Sequence, residues 1–310
     1  MVESVIVVSL VASGLSLSTP LLFAALGEKV AERAGVLNLG VEGMMLMGAF
    51  SGFMGAFISG NIWIGLLFGI VTGAAMAAVM GFLNITLRTN QMVAGLAIWL
   101  LGLGLSAFLY RLYFGVIAAP PRVEPFQKID IPVLTSIPGI GPALFHQDIL
   151  VYIALILVPV FYILLYKTKL GLKIRTVGEN PKQADTQGVN VFRIRYLAVI
   201  VGGALAGIGG VYFSLAVSGS FIENMTGNRG WIAIALVIFG RWNPFGILGA
   251  SLLFGMVDAL QFTLQAGGVD VPFQFMLMLP YIMAIAVMAV TYKRTVQPAA
   301  LTIPYTREEK

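Results

Sequence analysis

The chain has 310 residues, of which 58% are hydrophobic and only 11% are charged, and its formal net charge is +5. A soluble domain carries roughly 25% charged residues, so this composition cannot cover a water-soluble surface and indicates a polytopic membrane protein. The chain has no cysteine and a single histidine, which excludes disulfides, thiolate metal sites and a histidine cluster. We therefore expect no bound metal.

Several apolar runs are long enough to cross a membrane, since a crossing helix needs about 20 mostly apolar residues. They are Val5–Leu26, Val41–Ser59, Ile62–Leu87, Met92–Phe114, Ile149–Tyr166, Tyr196–Val217, Phe245–Leu264 and Pro272–Tyr292. A further run, Gly230–Gly240, is only about 11 residues long and too short to cross unaided. The sequence predicts an all-α polytopic membrane protein, residues 1–310 forming one domain of about eight or nine transmembrane helices with one short or re-entrant helix.

The basic residues indicate the orientation of the chain. Lys167–Arg195 holds seven of the 19 lysines and arginines, so we expect this interval on the cytoplasmic side. Gly115–Asp148 is rich in proline and weakly charged, which is typical of an exterior loop. Gly27–Gly40 also carries charged side chains and is too polar to face lipid. The side of the amino terminus depends on whether Gly230–Gly240 crosses, and both alternatives remain open.

A short capped helix is predicted inside the basic interval, over Pro181–Gln187. Asn180 can cap it through its side-chain oxygen, and Pro181 suits a first helical position. Gln183 stands three residues after the cap, as in a capping box, and Gly188 can adopt the left-handed conformation that ends a helix. A helix of about two turns is marginal alone in water, so we expect the protein or a partner to stabilise it.

Two acids are expected at membrane depth, Glu42 and Asp258. An ionised side chain there costs roughly 2.5–3.5 kcal/mol, so such residues usually face the interior of a bundle or a water-filled path. Asp258 forms a polar stripe with Gln261 and Gln265. The alternatives are that Glu42 lies at the start of its own helix, and that the Asp258 stripe makes hydrogen bonds between helices.

Amide side chains offer hydrogen bonds to a polar solute where the backbone is unwound. Asn38 lies among glycines and leucines, and Asn84 and Gln91 lie on either side of Arg88 at an expected inside turn. Loop capping is the alternative role. The predicted solute-path residues are thus Asn38, Glu42, Asn84, Gln91, Asp258 and Gln261.

Motifs for catalysis are missing from the sequence. It contains no G-x-x-x-x-G-K-[ST] loop, so we do not expect the chain to bind ATP through such a loop. It also lacks H-E-x-x-H and G-x-S-x-G. We expect a protein that is not an enzyme, and the scarcity of intramembrane acids argues against a proton-coupled transporter.

Three stretches resemble a known family. Glu32–Met45 is similar to the signature of ABC-importer permeases of the branched-chain amino acid and simple-sugar group, most of all the nucleoside-uptake permeases. Val177–Gly188 resembles the cytoplasmic coupling segment of these permeases, and Gly240–Gly246 also fits the group. Branched-chain amino acid permeases typically carry Phe-Ala-His-Gly where this chain has Leu39–Glu42, and that departure favours a nucleoside.

The resemblance implies a permease subunit of an ATP-driven importer in the bacterial cytoplasmic (inner) membrane. Its partners would be a cytoplasmic ABC ATPase that uses the ATP, a second permease subunit in a heterodimer, and an extracytoplasmic substrate-binding lipoprotein. The nucleoside path would run between the two permeases. The coupling residues implied by the resemblance are Gly178, Glu179, Asn180, Pro181, Ala184 and Gly188.

Other functions remain open on the sequence. The permease could carry simple sugars or branched-chain amino acids, or the chain could be a self-sufficient channel or facilitator for small neutral solutes. The basic interval could also be a plain cytoplasmic anchor.

Overall fold

A computed structural model describes residues 2–117, 119–130, 132, 135, 141–266, 272–291 and 297–307. Within them the protein is built almost entirely of helices. In chain order these are α1 Val2–Arg33, α2 Val41–Ser59, α3 Ile62–Gly81, α4 Gln91–Phe114, α5 Gly141–Phe145, α6 Ile149–Lys167, α7 Lys169–Glu179, α8 Pro181–Thr186, α9 Val191–Val211, α10 Arg229–Phe239, α11 Pro244–Ala266 and α12 Phe273–Thr291. The predicted helical class is confirmed, with one short β-hairpin added.

Seven helical segments of the described chain are long and apolar enough to cross a membrane. Two of them, α3 and α9, are extended by the π-helical turns Phe82–Thr86 and Tyr212–Ser218. α10 has 11 residues and is too short to cross, as predicted for Gly230–Gly240. In α12, the apolar stretch Gln274–Val287 is also shorter than the seven long segments. Adding α12 gives eight, and counting the short α10 as well gives nine, which is the predicted range.

α1 forms the centre of the bundle and packs against α9, α11 and α10. Its middle is enclosed, since every residue from Leu21 to Leu26 is at most 1% exposed. Glycines bring neighbouring helices close together: a Cβ on Gly210 of α9 would collide with the carbonyl oxygen of Met45 on α2. Such close approach suits association in lipid, where van der Waals packing rather than the hydrophobic effect holds helices together.

α1 continues to Arg33, well past the apolar run that predicted it. The charged residues of this extension, Glu28, Lys29 and Glu32, are at most 1% exposed. The indole N–H of Trp242 donates a hydrogen bond to Glu32. Protein therefore surrounds this charged part of the predicted polar interval, which is how it avoids lipid.

The two ends of the bundle carry different structures, and α6 runs between them. At one end β1, Lys128–Asp130, pairs antiparallel with β2, His146–Asp148, and we call this end the hairpin face. At the other end lie α7 and α8, and we call it the coupling face. The predicted exterior interval Gly115–Asp148 contributes to the hairpin face, although parts of it lie outside the described residues. The predicted cytoplasmic interval Lys167–Arg195 forms the coupling face.

Candidate functional site

A break in the helical pattern lies between α9 and α10, where residues 219–228 form no helix. Phe221 packs against Tyr110 near the hairpin-face end of α4, with ring centroids 5.1 Å apart. Trp231 packs against Trp99, which is nearer the coupling-face end of α4, with ring centroids 5.5 Å apart. About 11 residues of α4, or about 16 Å, separate the two contacts. The irregular segment thus descends into the depth of the bundle, where such backbone is tolerated only if protein encloses it or it lines a water-filled cavity.

Glu42 holds the start of α10. Its side chain is buried and accepts hydrogen bonds from the Thr226 hydroxyl, from the Asn228 N–H at 2.9 Å and from the Gly230 N–H. The free N–H groups and partial positive charge of a helix N-terminus favour a carboxylate there. Glu42 lies in the first turn of α2, in agreement with the alternative that the sequence left open. Its side-chain hydrogen bonds, however, go to residues at the start of α10. It joins α2 to α10, and its part in a solute path stays a prediction.

A second buried acid, Asp258 of α11, acts on the same segment. Its Oδ2 lies 3.1 Å from Nη2 of Arg229, the first residue of α10. The Arg229 guanidinium also lies over the ring of Phe213, 5.4 Å from the centroid. The structure therefore brings the two predicted membrane acids, Glu42 and Asp258, to one place, the start of α10. Gln261 lies almost one turn farther along α11 and is buried.

A cavity of about 480 Å³ opens toward the hairpin face beside the break. Its walls come from α1, the hairpin, the π-helical turn after α9, and α11: Ala12, Ser13, Ser16, Leu17, Lys128, Gln147, Val217, Ala259, Phe262 and Thr263. Ala259 directly follows Asp258, so the cavity reaches the residue next to the Arg229–Asp258 ion pair. Hydroxyl and amide groups beside an exposed phenyl ring suit a small polar solute that has one apolar face.

Three of the four predicted path amides, Asn38, Asn84 and Gln91, lie at the coupling-face end of the bundle, and all three are buried. Oδ1 of Asn38 accepts from the Gly40 N–H at 3.0 Å, which is the loop capping that the sequence left as an alternative. Oε1 of Gln91 accepts from the Leu37 N–H at 2.8 Å. Both polar side-chain atoms of Asn84 lack a hydrogen-bond partner within the described residues. Asn38 and Gln91 thus hold the turn between α1 and α2, whereas Asn84 keeps its full bonding capacity.

α8 confirms the predicted capped helix and ends one residue earlier. The Asn180 side chain accepts from the Gln183 N–H at 3.1 Å, and Pro181 occupies the first position. Gly188 has a φ of +79°, in the left-handed region. The predicted capping box is incomplete, because the Asn180 N–H donates at 2.8 Å to the carbonyl of Thr176 in α7. The start of α8 is therefore held by one local cap, and the coupling role of this helix stays a prediction.

The sequence reasoning missed α7. Thr168 caps it by accepting from the Gly171 N–H at 3.1 Å, and Ile174 and Val177 point into the bundle and are buried. The available signal was this apolar stripe at helical spacing within a charged interval. Ala184 of α8 is also buried, so both helices of the coupling face present one side to the protein.

Gly178 is where the coupling face meets α1. A Cβ at this position would collide with the carbonyl oxygen of Arg33, so the close approach requires glycine. Nη1 of Arg33 also lies 3.8 Å from Oε1 of Glu179. Immediately beyond, Gly35 turns the chain with a φ of +86°, toward α2 and Glu42. The coupling face is thus in direct contact with the end of α1, and the next turn of the chain leads to Glu42, which binds the start of α10.

The part of the irregular segment nearer the hairpin face is held by an ion pair that the sequence did not reveal. Arg111 of α4 donates two hydrogen bonds of 2.6 Å to Glu223. These bonds from the guanidinium lower the pKa of the Glu223 carboxyl. The Arg111 side chain is 61% exposed and that of Glu223 is 33% exposed, whereas Glu42 and Asp258, nearer the start of α10, are buried.

Comparisons with known proteins give a consistent result along most of the chain. Residues 10–288 match the family model described as the permease component of branched-chain amino acid transport systems. A provisionally named glucose ABC transporter permease of Haloferax volcanii is 43% identical, over 94% of this chain and 95% of its own. The guanosine ABC transporter permease of Bacillus subtilis is 35% identical, over 94% of this chain and 95% of its own.

Two further comparisons concern a nucleoside permease and a solved structure. The nucleoside ABC transporter permease of Lactococcus lactis is 34% identical, over 97% of both chains. A solved structure of a provisionally named metal-chelate type ABC transporter, in an inward-facing conformation, superposes with a TM-score of 0.53. It covers 92% of this chain and 85% of that chain at 16% identity, which shows a shared fold alone.

Proposed function

Because the chain belongs to the permease family of branched-chain amino acid transport systems, we propose that it forms the solute path of an ATP-driven nucleoside importer. The family makes it a permease subunit of an ABC transporter, a multi-pass protein of the cell membrane and a transport component rather than an enzyme.

Nucleosides fit the site because they combine an apolar ring face with several hydroxyl groups. Phe262 offers a ring, and Ser13 and Thr263 offer hydroxyls, at the wall of one cavity. Asp258, which precedes the lining residue Ala259, pairs with Arg229, and Glu42 accepts hydrogen bonds from the start of α10. Because both acids are bound, neither offers a free carboxylate to the ammonium group of an amino acid, which favours a neutral solute.

A simple sugar is the second candidate. It is favoured by the 43% identity to a permease named for glucose. A sugar would use the same hydroxyl and amide groups of the cavity but would gain less from the ring of Phe262. Inhibition of uptake by compounds with and without a base therefore separates the two candidates.

The contact at Gly178 is the observation on which the proposed mechanism depends. An ATPase docked on α8 would displace the coupling face, and Gly178 would pass that displacement to Arg33 at the end of α1. The next turn leads to Glu42, whose bonds hold the start of α10. Breaking or shifting these hydrogen bonds of Glu42 would move the irregular segment. The path would then open on the coupling-face side of the cavity.

The partners follow from this division of roles. A cytoplasmic ABC ATPase would dock on the coupling face and use the ATP, since the sequence carries no G-x-x-x-x-G-K-[ST] loop and is expected to bind no cofactor itself. An extracytoplasmic substrate-binding lipoprotein would deliver the solute at the hairpin face. A second permease would complete the path, with residues 1–310 of this chain as one transmembrane domain in a bacterial cytoplasmic membrane.

Uptake by intact cells tests the solute assignment. Cells with and without this chain are given labelled adenosine, guanosine, uridine, glucose and leucine. We expect loss of the chain to abolish nucleoside uptake and to leave leucine uptake unchanged. Loss of glucose uptake alone would establish the sugar candidate, and loss of leucine uptake with intact nucleoside uptake would contradict both. ATP-independent uptake by the purified chain in vesicles would instead indicate a facilitator.

A further inference from the structure

Residues 297–307, which we call the strap, lie on the coupling face although they are distant from it in sequence. The Ala300 N–H donates to the carbonyl of Gly178 at 2.9 Å. The Ala299 N–H donates to Oε2 of Glu179 at 3.3 Å. The strap therefore contacts the end of α7 at the same glycine that touches α1.

The strap also reaches α8 and α9. Nε of Arg307 lies 3.1 Å from Oδ2 of Asp185 on α8. On α9, Nη1 of Arg195 donates to the carbonyl of Ile303 at 3.1 Å. Arg195 is only 1% exposed, so a carbonyl of the strap supplies a hydrogen bond to a buried charge.

Packing and a turn complete the attachment. The rings of Phe192 and Tyr305 lie 5.6 Å apart, and Tyr305 is buried. A Cβ on Gly35 would come within 3.0 Å of both the Ala300 carbonyl oxygen and Nη2 of Arg195. The strap thus lies against α7, α8, α9 and the turn that follows α1, with Ala300 and Tyr305 buried.

We propose that the strap is a positioning segment, which ties α8 to α9 and to the turn at Gly35 so that they move as one body. The inference rests on the proposed function, because it assigns to α8 a displacement that an ATPase imposes. Without the strap, α8 is linked to the bundle through α7 and the chain that leads into α9. With it, Asp185 and Arg195 are connected through one short peptide, and a displacement of α8 acts directly on the turn before Glu42.

Charge reversal tests this connection. In the purified complex of this chain with its ATPase, Arg307→Glu places like charges together at Asp185. We expect the amount of solute moved per ATP hydrolysed to fall roughly two- to fivefold, the range of an exposed ion pair. The double variant Asp185→Arg, Arg307→Glu restores opposite charges and should restore the ratio. Arg193→Glu is the matched control, because it makes the same charge change at an exposed position of α9.

A tether supplies a second, independent test. The chain has no cysteine, so Glu179→Cys with Ala299→Cys introduces a single pair of thiols between α7 and the strap. If the strap stays attached during transport, the oxidised complex should keep the solute-to-ATP ratio of the reduced one. Loss of transport on oxidation that a reductant reverses would mean that the strap must detach, and failure of the thiols to pair would place it elsewhere. Either result overturns the inference.

The unmodified complex separates this inference from the proposed function. If no solute stimulates its ATP hydrolysis, the proposed function fails. If a nucleoside stimulates hydrolysis but Arg307→Glu leaves the ratio unchanged, or the double variant fails to restore it, only the positioning role of the strap is wrong.

Discussion

The break at α10 and the coupling face are both organised around a helix N-terminus, but the contacts that hold the two helices differ in range. α8 is capped by Asn180, three residues before the N–H that it binds. α10 is held by Glu42, 188 residues away in sequence from Gly230. A local exposed cap can open and reform alone, whereas a buried carboxylate can leave only by freeing several donors together. We infer that the cap of α8 opens more readily than the contacts that hold the start of α10.

Removing the acceptor of the break should give the largest effect. Glu42→Ala leaves the Thr226 hydroxyl and the N–H groups of Asn228 and Gly230 without their partner, so we expect a loss of about 3 kcal/mol or more of stability. Thermal unfolding of the detergent-solubilised chain measures it. Glu223→Ala, on the exposed part of the same segment, is the control and should change stability far less. Similar losses in both variants would show that the break has no special anchor.

Filling the contact between the coupling face and α1 should have the next largest effect. Gly178→Ala places a Cβ against the Arg33 carbonyl, which should cost about 1–3 kcal/mol and uncouple ATP hydrolysis from uptake. Gly249→Ala is the matched control, since nothing lies within 4 Å of a Cβ there. That variant should stabilise α11 by up to about 1 kcal/mol and leave coupling intact. Normal coupling in Gly178→Ala would exclude this contact as the route of displacement.

Loss of the local cap should have the smallest effect on stability and a selective effect on function. Asn180→Ala removes the cap of α8 and should cost about 0.5–2 kcal/mol. Asn190→Ala removes the equivalent cap of α9, whose side chain accepts from the Arg193 N–H at 3.0 Å. We expect similar stability losses but reduced solute-stimulated hydrolysis only in Asn180→Ala. An equal loss of stimulation in both would mean that α8 is a plain anchor.

Part of the coupling face was predictable because its signals are local. Asn180, Pro181 and Gly188 act within a few residues of α8, and the structure shows the predicted cap and left-handed glycine. α7 was missed because the charges of the interval concealed its apolar stripe. The strap was not predictable, since its contacts with Gly178 and Arg195 join parts of the chain that no local pattern connects.

The sequence by itself determined that this is a helical membrane protein and where its apolar helices lie. It also determined that Glu42 and Asp258 are acids within apolar runs. Composition and hydropathy decide these points because lipid leaves few alternatives to a helix. Only the tertiary structure decided what the acids bind. The descent of residues 219–228 along α4 brings Thr226, Asn228 and Arg229 to them. Such partners depend on how helices pack, since each buried polar group takes the donor or acceptor that packing brings within reach.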